Sequence, residues 1–224
     1  AFGADYNPSK TSLKIPELQK ILSDAKVSLN AVNVAFSAHS NAIAARESAF
    51  EPLSKLVTRV NNALKATDTT TQVDDSAKTI VRKIQGTRAS AKLTEEQKQA
   101  LAAEGKEVIQ VSASQMGFND RIENFDKLIT LLSSIPNYTP NEEELKIESL
   151  TAYLNDLKSK NAAVLPLEVQ LSNARILRND IQDRPLTGLI DAALDSKVYI
   201  KSVFGASSPQ YKQISKLAFV ERKK

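Results

Sequence analysis

Two matched groups of polar residues are the first candidates for chemistry: Ser40-Asn41-Ala42 with Arg46, and Ser172-Asn173-Ala174 with Arg178. On helices, each Asn lies about one turn from the residues around its Arg, so each pair is expected to share a flank. A guanidinium offers planar donors suited to carboxylate or phosphate. Asn41, Arg46, Asn173 and Arg178 are therefore a candidate pseudo-symmetric anion or partner site. The competing reading is a satisfied polar layer that fixes helix register. The single histidine, His39, carries no metal signature. A di-iron bundle needs Glu-x-x-His pairs, and the residue three before His39 is Phe36. His39 reads as a core or flank residue.

Little other reactive chemistry is on offer. With no Cys there are no disulfides, zinc–thiolate sites, iron–sulfur clusters or cysteine nucleophile. The carboxylates of Asp74-Asp75, Glu95-Glu96 and Glu142-Glu143-Glu144 fall at expected helix starts, where they favour the positive end of the helix dipole. Six scattered glycines form no phosphate loop or dinucleotide fingerprint. No serine elbow is present. The sequence assigns no catalytic residue, cofactor or metal.

The remaining polar feature is the C-terminal end. From Ser196 to Lys224 seven basic residues face only Glu221, a net charge of +6, while the whole chain carries +4. Tyr199, Phe204, Tyr211 and Phe219 lie in that segment, a third of all aromatics. Mixed basic and aromatic residues bind single-stranded nucleic acid by stacking and charge pairing. They also suit a packed closing segment, or a surface for a protein partner. Packing is the first expectation, a protein partner the second and nucleic acid the third. The candidate contact residues are Tyr211, Lys212, Lys216, Phe219 and Arg222. Ser208-Pro209 is expected to cap and start a short helix there.

At 224 residues, 42% hydrophobic and 25% charged, the chain can bury a sizeable core. No apolar run approaches the length of a membrane span. The start AFGADYNPSK lacks a signal-peptide pattern. Ala1 fits removal of an initiator Met, and fits a cleaved signal equally. The expected location is cytoplasmic.

The elements that must position these residues are helical. Leu18, Ile21, Leu22, Ala25, Leu29, Val32 and Phe36 recur at three- and four-residue steps, and predict a long helix from Pro16 to Ala49. A second is expected from Pro52 to Ala66, then a Thr-rich loop from Thr67 to Asp75. A third helix ends at Gly86, placed for a left-handed cap. Thr94-Glu95-Glu96-Gln97 forms a capping box that would open a central helix over about 94–134. Gly105 and Gly117 weaken that helix, and either marks a candidate break.

The second half repeats the first. With Tyr6 placed on Tyr138, the segments to Ser48 and Asp180 align without a gap. Pro8 meets Pro140, Leu13-Lys14-Ile15 meets Leu145-Lys146-Ile147, and Arg46 meets Arg178. Pro52-Leu53 then aligns with Pro185-Leu186, and AKTIVRKIQG with SKVYIKSVFG. Helical patterning alone would not place the Tyr-x-Pro start, the Ser-Asn-Ala…Arg group and the Gly ends in order. The expected architecture is one all-α domain over 1–224, an elongated helical bundle of two duplicated helical units. Those units, 6–86 and 138–205, are related by a pseudo-two-fold and joined by the central long helix, with a basic tail over 206–224. Pro166 falls inside the second long helix and should kink it.

The tail YIKSVFGASSPQYKQISKLAFVERKK places Phe204-Gly205, Ser208 and Tyr211 before a basic finish. It resembles the tails of uncharacterised helical proteins of bacteria, Bacteroidota in particular, over the last 50 residues or so. That resemblance implies a bacterial helical protein and brings no activity or ligand. The leading functional expectation is a non-enzymatic structural or interaction protein that self-associates into an oligomer or filament. The alternatives are a nucleic-acid-associated protein using the basic aromatic segment, and an enzyme with an Arg/carboxylate site in the bundle.

Overall fold

The computed structural model describes residues 3–87 and 116–220, with the single positions 94, 96, 99 and 103 between them. Its regular structure is helical, with no strand among the described residues. The principal helices are α1 (Ile15–Phe50), α2 (Leu53–Lys65), α3 (Thr71–Gln85), α4 (Phe118–Ser133), α5 (Ile147–Asp183), α6 (Leu189–Phe204) and α7 (Pro209–Ser215). The chain divides into two compact units. The central unit holds residues 42–164, and the terminal unit holds residues 1–41 together with 165–224.

The central unit is built around one core. Apolar residues spaced for a single stripe, Leu53, Val57, Val60 and Leu64 on α2 and Ala77, Val81 and Ile84 on α3, are buried together. Ile122, Phe125, Leu128 and Leu132 of α4 join them, as do Leu150, Leu154 and Leu157 of α5. Gly86 ends α3 at φ 67°, a left-handed cap that Gly adopts without a Cβ clash.

Both long helices open through the same lead-in. Tyr6 donates its hydroxyl proton to the Leu13 carbonyl at 2.8 Å, and Tyr138 donates to Leu145 at 2.9 Å. The 3-10 turns Thr11–Leu13 and Glu143–Leu145 follow residues of nearly equal torsion, Lys10 at φ −68°, ψ 118° and Glu142 at φ −68°, ψ 117°. The Thr11–Leu13 turn packs on α6, and the Glu143–Leu145 turn packs on α2. An ion pair fastens each, Lys10 to Asp195 and Arg59 to Glu144, with the charges reversed between units.

Several sequence expectations need correction. The Thr-rich loop is shorter than expected, because α3 already starts at Thr71. Asp74 stabilises that first turn and accepts a hydrogen bond from the Thr69 hydroxyl at 2.8 Å. The central helix is not continuous over 94–134, since α4 starts only after Gly117, which is extended at φ −62°, ψ 150°. Gln97 and residues 104–115 lie outside the described residues. Pro52-Leu53 opens α2, whereas Pro185-Leu186, aligned with it in sequence, lies in the turn between α5 and α6. Leu186 instead turns at φ 65° with its N–H donated to the Asp191 carboxylate. Pro166 does fall inside the second long helix, α5, as the sequence reading places it.

Candidate functional site

Arg46 is the best-placed of the candidate polar residues, and its partners are not the expected ones. It sits near the end of α1, with its guanidinium 4.0 Å over the Phe118 ring and Nη1 donating to Asn161 Oδ1 at 3.4 Å. Asn161 in turn donates to Asn119 at 2.6 Å. Beside it, Arg121 lies 5.3 Å from the Phe50 ring, and the Phe50 and Phe118 rings meet edge to face at 4.9 Å. Two arginines and two phenylalanines thus interleave where α1, α4 and α5 meet in the central unit.

Helix ends explain much of this cluster. The last carbonyls of an α-helix lack intrahelical donors and carry partial negative charge. Arg121 Nη2 donates to the Phe50 carbonyl at 3.3 Å, and the Tyr153 hydroxyl donates to the Ala49 carbonyl at 2.6 Å. Burial lowers the Arg121 pKa from its ordinary value, and burial raises that of the Tyr153 phenol. The two donated hydrogen bonds satisfy the last carbonyls, so the cluster closes the C-terminus of α1. Among the described residues, Nε of Arg46 and Nε of Arg121 find no hydrogen-bond partner.

Neither Asn–Arg pair makes a side-chain hydrogen bond of its own among the described residues. Asn41 is exposed in the terminal unit, while half-buried Arg46 belongs to the central unit. Asn173 is exposed, and Arg178 turns to its neighbour Asn179, donating from Nε at 3.2 Å and Nη2 at 2.8 Å. The reason is angular. At about 100° per residue, positions five apart differ by about 140° around a helix, so Asn and Arg in each group leave on different flanks. The sequence did carry one readable sign, because Tyr and Leu seven residues apart occur before both long helices and make the lead-in bond.

The C-terminal segment folds back on α6. Ser208 Oγ accepts from the Tyr211 N–H at 3.1 Å with Pro209 in the first turn, as the Ser-Pro pair predicts. Lys197 donates to the carbonyls of Ser215 at 3.1 Å and Leu217 at 2.8 Å, and lies 5.8 Å from the Phe219 ring. Lys201 lies 5.9 Å from the Tyr211 ring. Two of the segment's lysines therefore hold it in place. Lys212 and Lys216 are exposed, and Arg222 lies outside the described residues.

A cleft of about 550 Å³ opens in the central unit between α2 (Arg59, Asn62, Ala63) and the loop Asn137–Glu142. Its one carboxylate is Glu142. Among the described residues no three His, Cys, Asp or Glu side chains group as metal ligands, and no helix is long and apolar enough to cross a membrane. No protein-family model matches the chain, and no curated protein and no solved structure matches it.

Proposed function

We propose that this chain is a non-enzymatic structural or interaction protein that self-associates through helix packing. One observation carries the reading. Among the described residues, every large apolar side chain more than a third exposed belongs to the terminal unit, apart from Met116. Contiguous exposed apolar surface marks an interaction site. Molar mass by light scattering during size-exclusion chromatography, over a range of protein concentrations and salt, tests it. A mass well above 24.5 kDa that persists in high salt is expected, and a strict monomer at high concentration overturns it.

The same reading includes an internal duplication. It is supported by the 132-residue offset that carries Tyr6 to Tyr138, Leu13 to Leu145 and the start of α1 to the start of α5. Each compact unit then combines the first part of one copy with the last part of the other. The terminal unit holds 6–41 of the first copy and 165–205 of the second, and the central unit holds the remainder of both. Exchange of halves between repeats is the arrangement expected if a shorter ancestor paired with a second copy of itself before fusion.

A further inference from the structure

We infer that the run Leu217-Ala218-Phe219-Val220, together with Lys201, Lys212 and Lys216, docks the chain on an anionic lipid surface. The inference goes beyond the self-association proposed above and does not depend on it. All four residues of the run are exposed, Leu217 at 53% and Val220 at 77%, and they follow α7 outside any helix. Four consecutive apolar residues left in water cost solubility and add little to a core, so such a run points to a function.

The fold holds this run beside positive charge. Lys197 of α6 donates to the Ser215 carbonyl at 3.1 Å and the Leu217 carbonyl at 2.8 Å, and lies 5.8 Å from the Phe219 ring. Lys201 follows one turn along α6 on the same face, 5.9 Å from the Tyr211 ring of α7. Exposed Lys216 directly precedes the run, and exposed Lys212 lies one turn before Lys216. From Ser196 to Val220 there are four lysines and no Asp or Glu. The nearest acids on α6 are engaged elsewhere: Asp195 pairs with Lys10, and Asp191 accepts the Leu186 N–H.

Charge and side-chain chemistry select the occupant. Apolar side chains that enter the boundary of the acyl region, flanked by lysines that meet headgroup phosphates, give the two signals that reversible anchoring needs. Lysine stems also lie along apolar surface while the ammonium stays in water. The contact is peripheral, since no described helix is long and apolar enough to cross a membrane. Single-stranded nucleic acid, in contrast, needs free aromatic faces for stacking. Here half-buried Tyr211 lies against Lys201, Phe219 stands beside Lys197, and Tyr199 meets Tyr6 edge to face at 5.3 Å. A protein partner matches less well, because lysine is depleted in protein interfaces.

The experiment uses the full chain and vesicles of phosphatidylcholine, with or without about a third of phosphatidylglycerol. Co-sedimentation at low salt is expected to show binding to the anionic vesicles about ten-fold tighter or more, weakening as salt rises. Lys201→Gln/Lys212→Gln/Lys216→Gln should lower that affinity roughly 100-fold, about five-fold per lysine. Leu217→Ser/Val220→Ser should lower it about ten-fold at unchanged charge. All five side chains are exposed, so circular dichroism should show unchanged helicity in both variants. In a chain with no other Cys, Val220→Cys carrying a polarity-sensitive fluorophore should shift to the blue on anionic vesicles. The same label at Lys78→Cys, exposed on α3 of the central unit, should not shift. Failure to bind anionic vesicles at low salt, or equal binding by either variant, overturns the inference. Binding of a single-stranded oligonucleotide that the lysine variant loses, with no shift of the Val220→Cys label on vesicles, also overturns it and assigns the lysines to nucleic acid.

Discussion

The central and terminal units start from the same lead-in turn and the same kind of long helix, yet they finish differently. In the central unit, Leu150, Leu154 and Leu157 lie under α3 and α4 in a core that also holds Phe50, Phe125 and Tyr138. In the terminal unit Leu13, Val32, Leu171, Ala192 and Ile200 are buried, while Ile15, Leu22, Leu29 and Phe36 of α1 stay about half exposed. One helix pattern therefore supports two levels of burial, because a stripe of leucines requires a cover without specifying which segment supplies it. Hydrophobic stabilisation scales with apolar area removed from water, so the central unit should dominate stability and the terminal unit should dominate association.

The sharpest way to break this comparison is to cut equally into both units. Phe125→Ala should cost about 3–5 kcal/mol of stability, because Phe125 is fully buried. Leu22→Ala should stay within about 0.5 kcal/mol for the monomer. Urea denaturation of both variants checks this, and equal losses would erase the distinction between the units.

A finer cut removes the same hydroxyl from each lead-in. Tyr138→Phe leaves the Leu145 carbonyl without its donor in a buried site and should cost about 1–3 kcal/mol. Tyr6→Phe, at a half-buried ring that also packs edge-on to Tyr199 at 5.3 Å, should cost about 0.5–1 kcal/mol. Thermal unfolding of the pair gives the order.

Alkaline pH adds a signature of the central unit. Burial first, and the Glu142 carboxylate second, push the Tyr138 phenol up to about 12 from its ordinary 10.0. The neutral phenol is thus favoured in the folded protein. Its contribution is complete below pH 10 and is lost as pH rises through about 12. Stability measured over that window should fall less steeply in Tyr138→Phe than in the wild type.

The smallest contrast is in the reversed ion pairs. Lys10→Ala and Arg59→Ala each remove a partner from an exposed bridge, so both should cost about 0–1 kcal/mol, less in high salt. A loss above 2 kcal/mol at Lys10, read by urea titration, would mean that the terminal unit depends on its lead-in more than the exposed geometry allows.

Much of the helix content was legible one residue at a time. The apolar steps on α1 placed it within a residue at each end, and Gly86 and Ser208-Pro209 marked their caps, because these features depend on torsions and hydrogen bonds within a few residues. The candidate site was less legible. Asn41 and Arg46 look adjacent in sequence, but Arg46 found its partners on α4 and α5, more than seventy positions away. Likewise, Thr71–Asp75 reads as loop by composition and is helix in the fold, since the Asp74 carboxylate and the packing of α3 outweigh the weak helix preference of Thr.

By itself, the sequence determined an all-helical chain, the repeated lead-ins, the caps and the basic, aromatic last segment. Periodicity, capping and turn chemistry are local and do not wait for a partner. Only the tertiary structure decided that residues 42–164 form one compact unit and the two ends of the chain another, that Arg46 and Arg121 close the end of α1, and that Leu154 is dry while Leu22 is wet. Burial is a property of what else comes to lie against a side chain. A leucine pattern records the need for that cover, and contacts between distant segments decide whether it is met.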